Sequence, residues 1–380
     1  MWRMTIFLIG CGRVAFNPVA DAAAPPDVAL PTSLADGMPC ATPVLLDGGG
    51  HLAHDVLAWV NDVQGDWLIG VEHMDQDVHQ IHRHAITAGA GGAPVAAPAQ
   101  LILAVDHVDV LSFEPVNTGY ILGYNEFVLQ TAQTLRLTPT MVMAGANPLG
   151  TLAAGNPPLA RAGNGGLAMI GLTSGDLQVI ALGDDGAPTG AANHLATPAE
   201  GAGHPTMIAL DDGLAAVWDS AKTGTCRLVR LRPDLSIAAG PVDLAIAGCS
   251  DPHVAWLPAA HRIIVVADST ADTTIAGAVW DDKLAPITPA TTLAPSAHWT
   301  RILGDDDGAW LTWVENDAVK KVRSARLTTD GHIAMMNAAA GELDDSLGHY
   351  HTLWRAGQSV VAVWTDAAQN RTFSAMRLCR

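Results

Sequence analysis

Histidine is the residue type through which this chain is best equipped to do chemistry. Fifteen are present against only four lysines, Lys222, Lys283, Lys320 and Lys321. An imidazole changes charge near neutral pH and is a good ligand for transition metals, so where the histidines fall decides what they can do. His54, His107, His204, His253, His298 and His351 each stand just ahead of an apolar run, with His349 beside the last of them and Asn156 at the corresponding point of one further segment. Two more frame a hairpin. In the stretch from Glu72 to His79 the tip falls at Asp75 to Asp77, which makes His73 and His79 cross-strand partners with Cβ atoms about 5 Å apart. His82 and His84, two apart on one strand, belong together on the other face of that sheet. A zinc site needs three or four convergent ligands, and a repeated histidine also serves as a hydrogen-bonding brace for its own repeat. No cofactor is expected; a transition metal at His73 and His79, or among the six recurring histidines, is the exception these residues allow.

Linear motifs for other chemistry are missing. The sequence holds no Gly-x-Ser-x-Gly elbow, no His-Glu-x-x-His, no phosphate loop and no dinucleotide-binding glycine pattern. Its six glutamates, at 72, 114, 126, 200, 315 and 342, are too scattered to nominate an acid and base for glycoside cleavage, although aspartates could still supply such a pair. Aspartates cluster in Asp184 Asp185 Gly186, Asp211 Asp212 Gly213, Asp305 to Gly308 and Asp330 Gly331. Asp before Gly is what a tight turn favours, and a calcium loop with about 6 to 8 oxygen ligands is not offered.

The elements that must position the histidines repeat about every 50 residues, the period of a four-stranded propeller blade. One copy runs through Gly203 His204 Pro205, Asp211 Asp212 Gly213, Val217 Trp218 Asp219 and Leu228 to Leu231. Later copies run through His298, Asp306 to Gly308, Trp313 and Ala325 to Leu327, then His351, Gly357, Trp364 and Ala375 to Leu378. Fainter ones pass through Val71 Glu72, Tyr124 Asn125, Gly171 Leu172 and Ala267 Asp268. Seven copies predict an all-β, seven-bladed propeller of four-stranded antiparallel blades over residues 40–380. The last copy ends after three strands, and Thr42 to Leu46 matches the fourth strand elsewhere (Gly240 to Leu244), so an N-terminal strand is expected to complete the last blade and remove two open edges. In that ring the six histidines gather at one channel mouth, with His73 and His79 at its rim, and the Asp turns at the other. Acidification from about pH 8 to about 5.5 is then expected to charge mainly the histidine face.

Composition agrees and excludes partners. Of 380 residues 49% are hydrophobic, with 37 Gly and 23 Pro, enough apolar surface for a core and the punctuation of an all-β chain. A formal charge of -18 leaves no basic face for nucleic acid. Uncharged stretches 85–105 and 137–160 are broken by Pro and Gly, so no spanning helix is expected.

The first residues read as a leader. Arg3 precedes the apolar run Met4 to Ile9, and Leu8 Ile9 Gly10 Cys11 resembles the lipobox of bacterial lipoproteins, which implies acylation of Cys11; plain secretion with cleavage near Ala20 Asp21 Ala22 and a mis-assigned start are the other readings. The domains are then a signal peptide with lipobox over 1–11, an Ala/Pro-rich tether over 12–39 and the propeller over 40–380. Across 40–380 the layout resembles secreted bacterial β-propeller lipoproteins. Setting Cys11 aside leaves Cys40, Cys226, Cys249 and Cys379, an even set for an exported chain. Antiparallel neighbours bring Cys226 to Cys249 and Cys40 to Cys379; four free buried thiols are the alternative. The expected protein is a monomer in the bacterial cell envelope or secreted, touching membrane only through its lipid. It is expected to be non-enzymatic, binding a protein, glycan or peptide through the His-lined face. The alternative is a propeller enzyme or metal-binding protein built on that mouth.

Overall fold

The structure is a computed structural model that describes residues 33–46, 55–62, 65–73, 78–89, 92–106, 108–126, 131–149, 158–162, 165–173, 176–315, 319–337, 341–342, 351–366 and 372–379. Cys11, the leader, His54, His107, His349, Asn156 and the tip Asp75 to Asp77 lie outside them.

Among the described residues thirty strands build seven antiparallel sheets, the seven-bladed propeller read from the repeats. Blade 1 holds β2 (Asp55–Asp62), β3 (Gly65–His73), β4 (Val78–Ala88), β5 (Pro94–Ala96) and β6 (Gln100–Asp106). Blade 2 holds β7 (Val108–Val116), β8 (Gly119–Glu126), β9 (Thr131–Leu137) and β10 (Met143–Pro148). Blade 3 holds β11 (Leu159–Arg161), β12 (Leu167–Thr173), β13 (Asp176–Leu182) and β14 (Asn193–Ala196). Blade 4 holds β15 (Ala202–Leu210), β16 (Gly213–Ser220), β17 (Thr225–Leu231) and β18 (Ile237–Leu244). Blade 5 holds β19 (Cys249–Leu257), β20 (Arg262–Ser269), β21 (Thr274–Asp281) and β22 (Pro286–Pro295). Blade 6 holds β23 (Ala297–Asp305), β24 (Gly308–Glu315), β25 (Lys321–Leu327), β26 (Ile333–Met336) and β27 (Gly341–Glu342). Blade 7 holds β28 (His351–Ala356), β29 (Ser359–Asp366) and β30 (Thr372–Leu378), and is completed by β1 (Pro43–Leu46), whose Leu46 lies opposite Phe373.

Each blade packs face to face with its neighbours, so its middle strands are buried on both sides. That is why Gly213–Ser220 is buried throughout and its Gly213 to Trp218 part reads as a continuous apolar run rather than an alternating one, whereas the outer strand β18 is largely exposed. The core is accordingly a set of slabs between blades: Leu210, Val217, Cys226, Trp256 and Val265 from blades 4 and 5 form one of them. The Gly that opens a second strand has a steric cause. A Cβ at Gly119, Gly213 or Gly308 would lie 2.0–2.1 Å from the carbonyl oxygen of Leu137, Leu231 or Leu327, closer than atoms can approach.

Two disulfides are present, Cys40–Cys379 and Cys226–Cys249, the pairs that the antiparallel argument gives. The first ties the N-terminal segment to the last strand on the face of the first-to-second-strand turns, called lower here. The second joins blades 4 and 5 on the upper face. One part of the expected tether is not a loose linker. Leu34–Gly37 forms a 3-10 turn capped by Ser33, with Ala35 and Met38 buried. It docks between blades 7 and 1, where Asp36 accepts from Gln358 N and Ser359 Oγ and the buried Asp66 accepts from Ser33 Oγ and Leu34 N. Asp66 also accepts from Trp59 Nε1 and Asn61 Nδ2. Its burial needed these donors, and none was legible as a pair with residues some 30 positions upstream.

Candidate functional site at the upper mouth

The inner strands of blades 4, 5 and 6 do not pair evenly with their neighbours. Register shifts fall between Gly203 and Thr206, Ser250 and His253, and His298 and Arg301. Each is a bulge at the upper mouth, and its second residue is in the left-handed region: His204 at φ 38°, Asp251 at 45° and Trp299 at 52°. Such backbone is uncommon for non-glycine residues and persists only when its surroundings hold it. An aspartate of the preceding blade does so twice. Asp219 Oδ2, at the end of β16, accepts the Asp251 N–H at 3.2 Å; Asp268 Oδ2, at the end of β20, accepts the Trp299 N–H at 3.0 Å. The bulges are thus the joints between blades and the source of the mouth's side chains.

Counting from each bulge explains a feature the repeat did not show. His298 takes its first position, His204 its second, and His253, level with Thr206 and Arg301, its fourth. In blade 7 the described pairing begins at His351, which lies one residue before Thr352, level with His253. The histidines therefore meet the mouth at four different heights instead of forming one even ring.

Their partners differ too. His204 Nδ1 bonds Asp219 Oδ2 at 2.7 Å and is half-exposed; this hydrogen bond raises its pKa against the effect of burial. The Arg301 guanidinium donates to His253 Nε2 at 2.8 Å, which puts the proton of this imidazole on Nδ1. Burial and then Arg301 hold His253 below the usual imidazole range. His351 Nε2 lies 3.0 Å from Thr312 Oγ1, and burial followed by Arg301 pushes it down to about 3. His298 is lowered by burial and by Lys320. Among the carboxyls, burial pushes Asp268 up to about 7. Burial opposes ionisation of Asp251 as well, but His253 at 3.6 Å, Arg301 and His204 outweigh it and hold the group below the carboxylate range. Among the four described mouth histidines, acidification therefore favours protonation of His204, whose pKa is raised, over His253, His298 and His351, whose pKa values are lowered.

Of the residues singled out in the sequence, the structure places His253 and His351 within the field of Arg301, His204 beside Asp219 and in the field of Asp251 and Asp268, and His298 beside Asp268 and Lys320. Asp219, Asp251, Asp268, Trp299, Arg301 and Thr312 were missed. Aligning Pro205 with Pro252 would have exposed the bulge register and, with it, Asp251 and Arg301. His73 lies opposite His79 as the hairpin requires. His79, His82 and His84 are buried, His82 Nε2 against Gln80 Oε1 and His84 Nδ1 against the Ala97 carbonyl. Among the described residues no three His, Cys, Asp or Glu side chains are grouped to hold a metal ion. At the lower face the Asp turns are engaged with arginines, Asp212 with Arg230, Asp184 with Arg161, Asp330 with Arg262, and both Asp305 and Asp307 with Arg326.

No family model matches the chain, and no curated protein matches it in sequence. Solved structures do match in shape. A structure described as the Dos1 propeller aligns over 90% of this chain and 87% of that one at 10% identity, with a TM-score of 0.50. A putative 6-phosphogluconolactonase from Bacteroides fragilis NCTC 9343 aligns over 82% and 94% at 12% identity, TM-score 0.49. An exo-beta-1,3-galactanase from Phanerochaete chrysosporium aligns over 67% and 75% at 11% identity, TM-score 0.40. Likeness at these identities concerns the fold alone. Function must be argued from the mouth itself.

Proposed function

We propose that the protein is an exported propeller, tethered by an acylated Cys11, that binds a saccharide at the upper mouth between blades 4 and 7. The observation that carries this reading is a set of buried polar atoms without a partner among the described residues: Asp268 Oδ1, Thr300 Oγ1 and His351 Nδ1. Buried polar atoms are costly when unpaired, and a hydroxyl-rich ligand can both donate and accept. Beside them stands the indole of Trp299, half-buried against the core of blades 6 and 7 with the Lys320 ammonium 4.5 Å over its ring; the aromatic surface it leaves exposed is of the kind a sugar ring stacks on. Two disulfides favour an oxidising compartment, and no described helix is long and apolar enough to cross a membrane.

Purified protein on a glycan array is expected to give saccharide hits that fall at least about tenfold with Trp299→Ala, the loss of an aromatic contact and its area. Replacing His204, His253 and His298 together by Gln is expected to remove the same hits while the melting curve stays cooperative. Retention of the hits in both variants would place binding elsewhere. The anchor has its own test. Cys11→Ser should move the protein from the membrane to the soluble fraction, and unchanged fractionation, or no acyl label on Cys11 in the parent, would refute it.

A second reading rests on a different observation. Burial pushes Asp268 up to about 7 while Asp251 is held below the carboxylate range, so near neutral pH one is partly protonated and the other ionised, a division that a general acid and its partner base can use. Release of new reducing ends from a bound glycan, lost in Asp251→Asn, would make the protein a hydrolase; binding without turnover returns it to the first reading.

A further inference from the structure

Resting on the saccharide reading, we propose that Arg301 recognises a carboxylate on the ligand, so that the preferred sugar is a uronic acid rather than a neutral hexose. Arg301 stands on the fourth position of the blade 6 bulge, across from Thr312. Its Nη1 is fixed by two acceptors, the Thr300 carbonyl at 2.7 Å and His253 Nε2 at 2.8 Å. The other edge of the guanidinium, Nε and Nη2, makes no hydrogen bond or ion pair among the described residues. That edge grips a planar carboxylate through two parallel bonds, and a guanidinium already anchored by its third nitrogen loses little freedom in doing so.

Other arginines of the upper face are spent differently. Arg227 is paired with Glu200 and Asp243, and Arg323 with Glu315. Arg301 is left uncommitted in a chain where acids outnumber bases 38 to 20. Asp251 and Asp268 feel it electrostatically but do not pair with it. His253 and His351, its imidazole neighbours, remain neutral donors and acceptors.

The same surroundings argue for a monoanion. Screening limits the field of the distant acids to about 8 Å at physiological salt, so the carboxylates of the mouth, Asp219, Asp251 and the ionised fraction of Asp268, oppose an anionic ligand while Arg301 and Lys320 favour it. A phosphate dianion would feel roughly twice the repulsion of a carboxylate at the same place. The bidentate edge suits the carboxylate equally well at half that penalty.

Calorimetric titration of the full chain with methyl glucuronide, methyl glucoside and acetate tests this, in the parent and in Arg301→Gln and Arg301→Lys. Glucuronide is expected to bind on the order of tenfold tighter than glucoside, the worth of a charge-assisted hydrogen bond. Arg301→Gln should erase that preference, and Arg301→Lys, which keeps the charge without the fork, should recover only part of it. Equal affinity of the parent for both sugars would overturn the carboxylate proposal and leave saccharide binding standing. Acetate and glucuronide binding alike, both lost in Arg301→Gln, would confirm the anion site and overturn the saccharide reading. A preference that survives Arg301→Gln with an unchanged melting curve would assign the carboxylate to another residue and sink the proposal.

Discussion

Replacing Cys40 and Cys379 by serine is expected to lower the stability of the ring by up to about 6 kcal/mol, whereas the same change at Cys226 and Cys249 should cost about 3 kcal/mol. The difference follows from the lengths of chain enclosed, 339 residues against 23, because a crosslink acts chiefly by restricting the unfolded chain and its effect grows with the logarithm of the loop. In the folded protein the loss is concentrated at one seam. There β1 is then held by its ladder to β30, by the buried Leu46 and by the docked turn around Asp36, whose carbonyl accepts from Arg377. Denaturant midpoints of the two double variants, with amide exchange read on β1 and β30, check both claims. Equal midpoints, or exchange that accelerates in blade 4 before blade 7, would show that closure does not depend on this bond.

Asp268→Asn is expected to stabilise the protein at pH 8 and to leave it nearly unchanged at pH 4. Asp268 titrates near 7 in the folded protein and near 4 in an unfolded chain. Between those values the folded state binds more protons than the unfolded one, so stability falls as pH rises through the window, by at most about 4 kcal/mol for this group. Asparagine is neutral throughout. Its side-chain oxygen can still accept the Trp299 N–H, and its amide stands where Oδ1 has no partner. His204 works in the opposite chemical sense but the same direction in pH: its raised pKa gives stability that is complete below the unfolded value and lost as pH rises through the folded one. Thermal melts from pH 4 to 8 distinguish the two, since only the Asp268 contribution vanishes in the variant. An advantage of equal size at both ends of the range would mean that the carboxyl is not protonated in the native state.

The architecture was legible because it is written in periodic, local signals. Apolar runs bounded by Asp-Gly turns, and a Trp in the second strand of several copies, recur at blade length whatever the blade packs against. The closing strand and both disulfides were legible for the same reason, since each follows from counting strands. The mouth was not, because it depends on pairing register. A bulge shifts side chains by one position without changing composition, so His204, His253 and His298 look equivalent in the sequence while occupying different places in the fold. Arg301 and Asp251 were invisible on similar grounds: nothing in their neighbours announces a residue that matters only through contacts about 48 positions away, as Arg301 does with His253.

The two clamps that join blades 4 to 5 and 5 to 6 accept from backbone N–H groups, those of Asp251 and Trp299. What the ring needs at these joints is therefore a main chain bent in a particular way, and the side chain carried by the bent residue is left over. A histidine, an aspartate and a tryptophan already occupy the same structural position in three consecutive blades. Mechanical duty and chemical identity are separated at each joint, so the protein carries a set of sockets around its channel, each of which can change what it presents without renegotiating how the blades hold together.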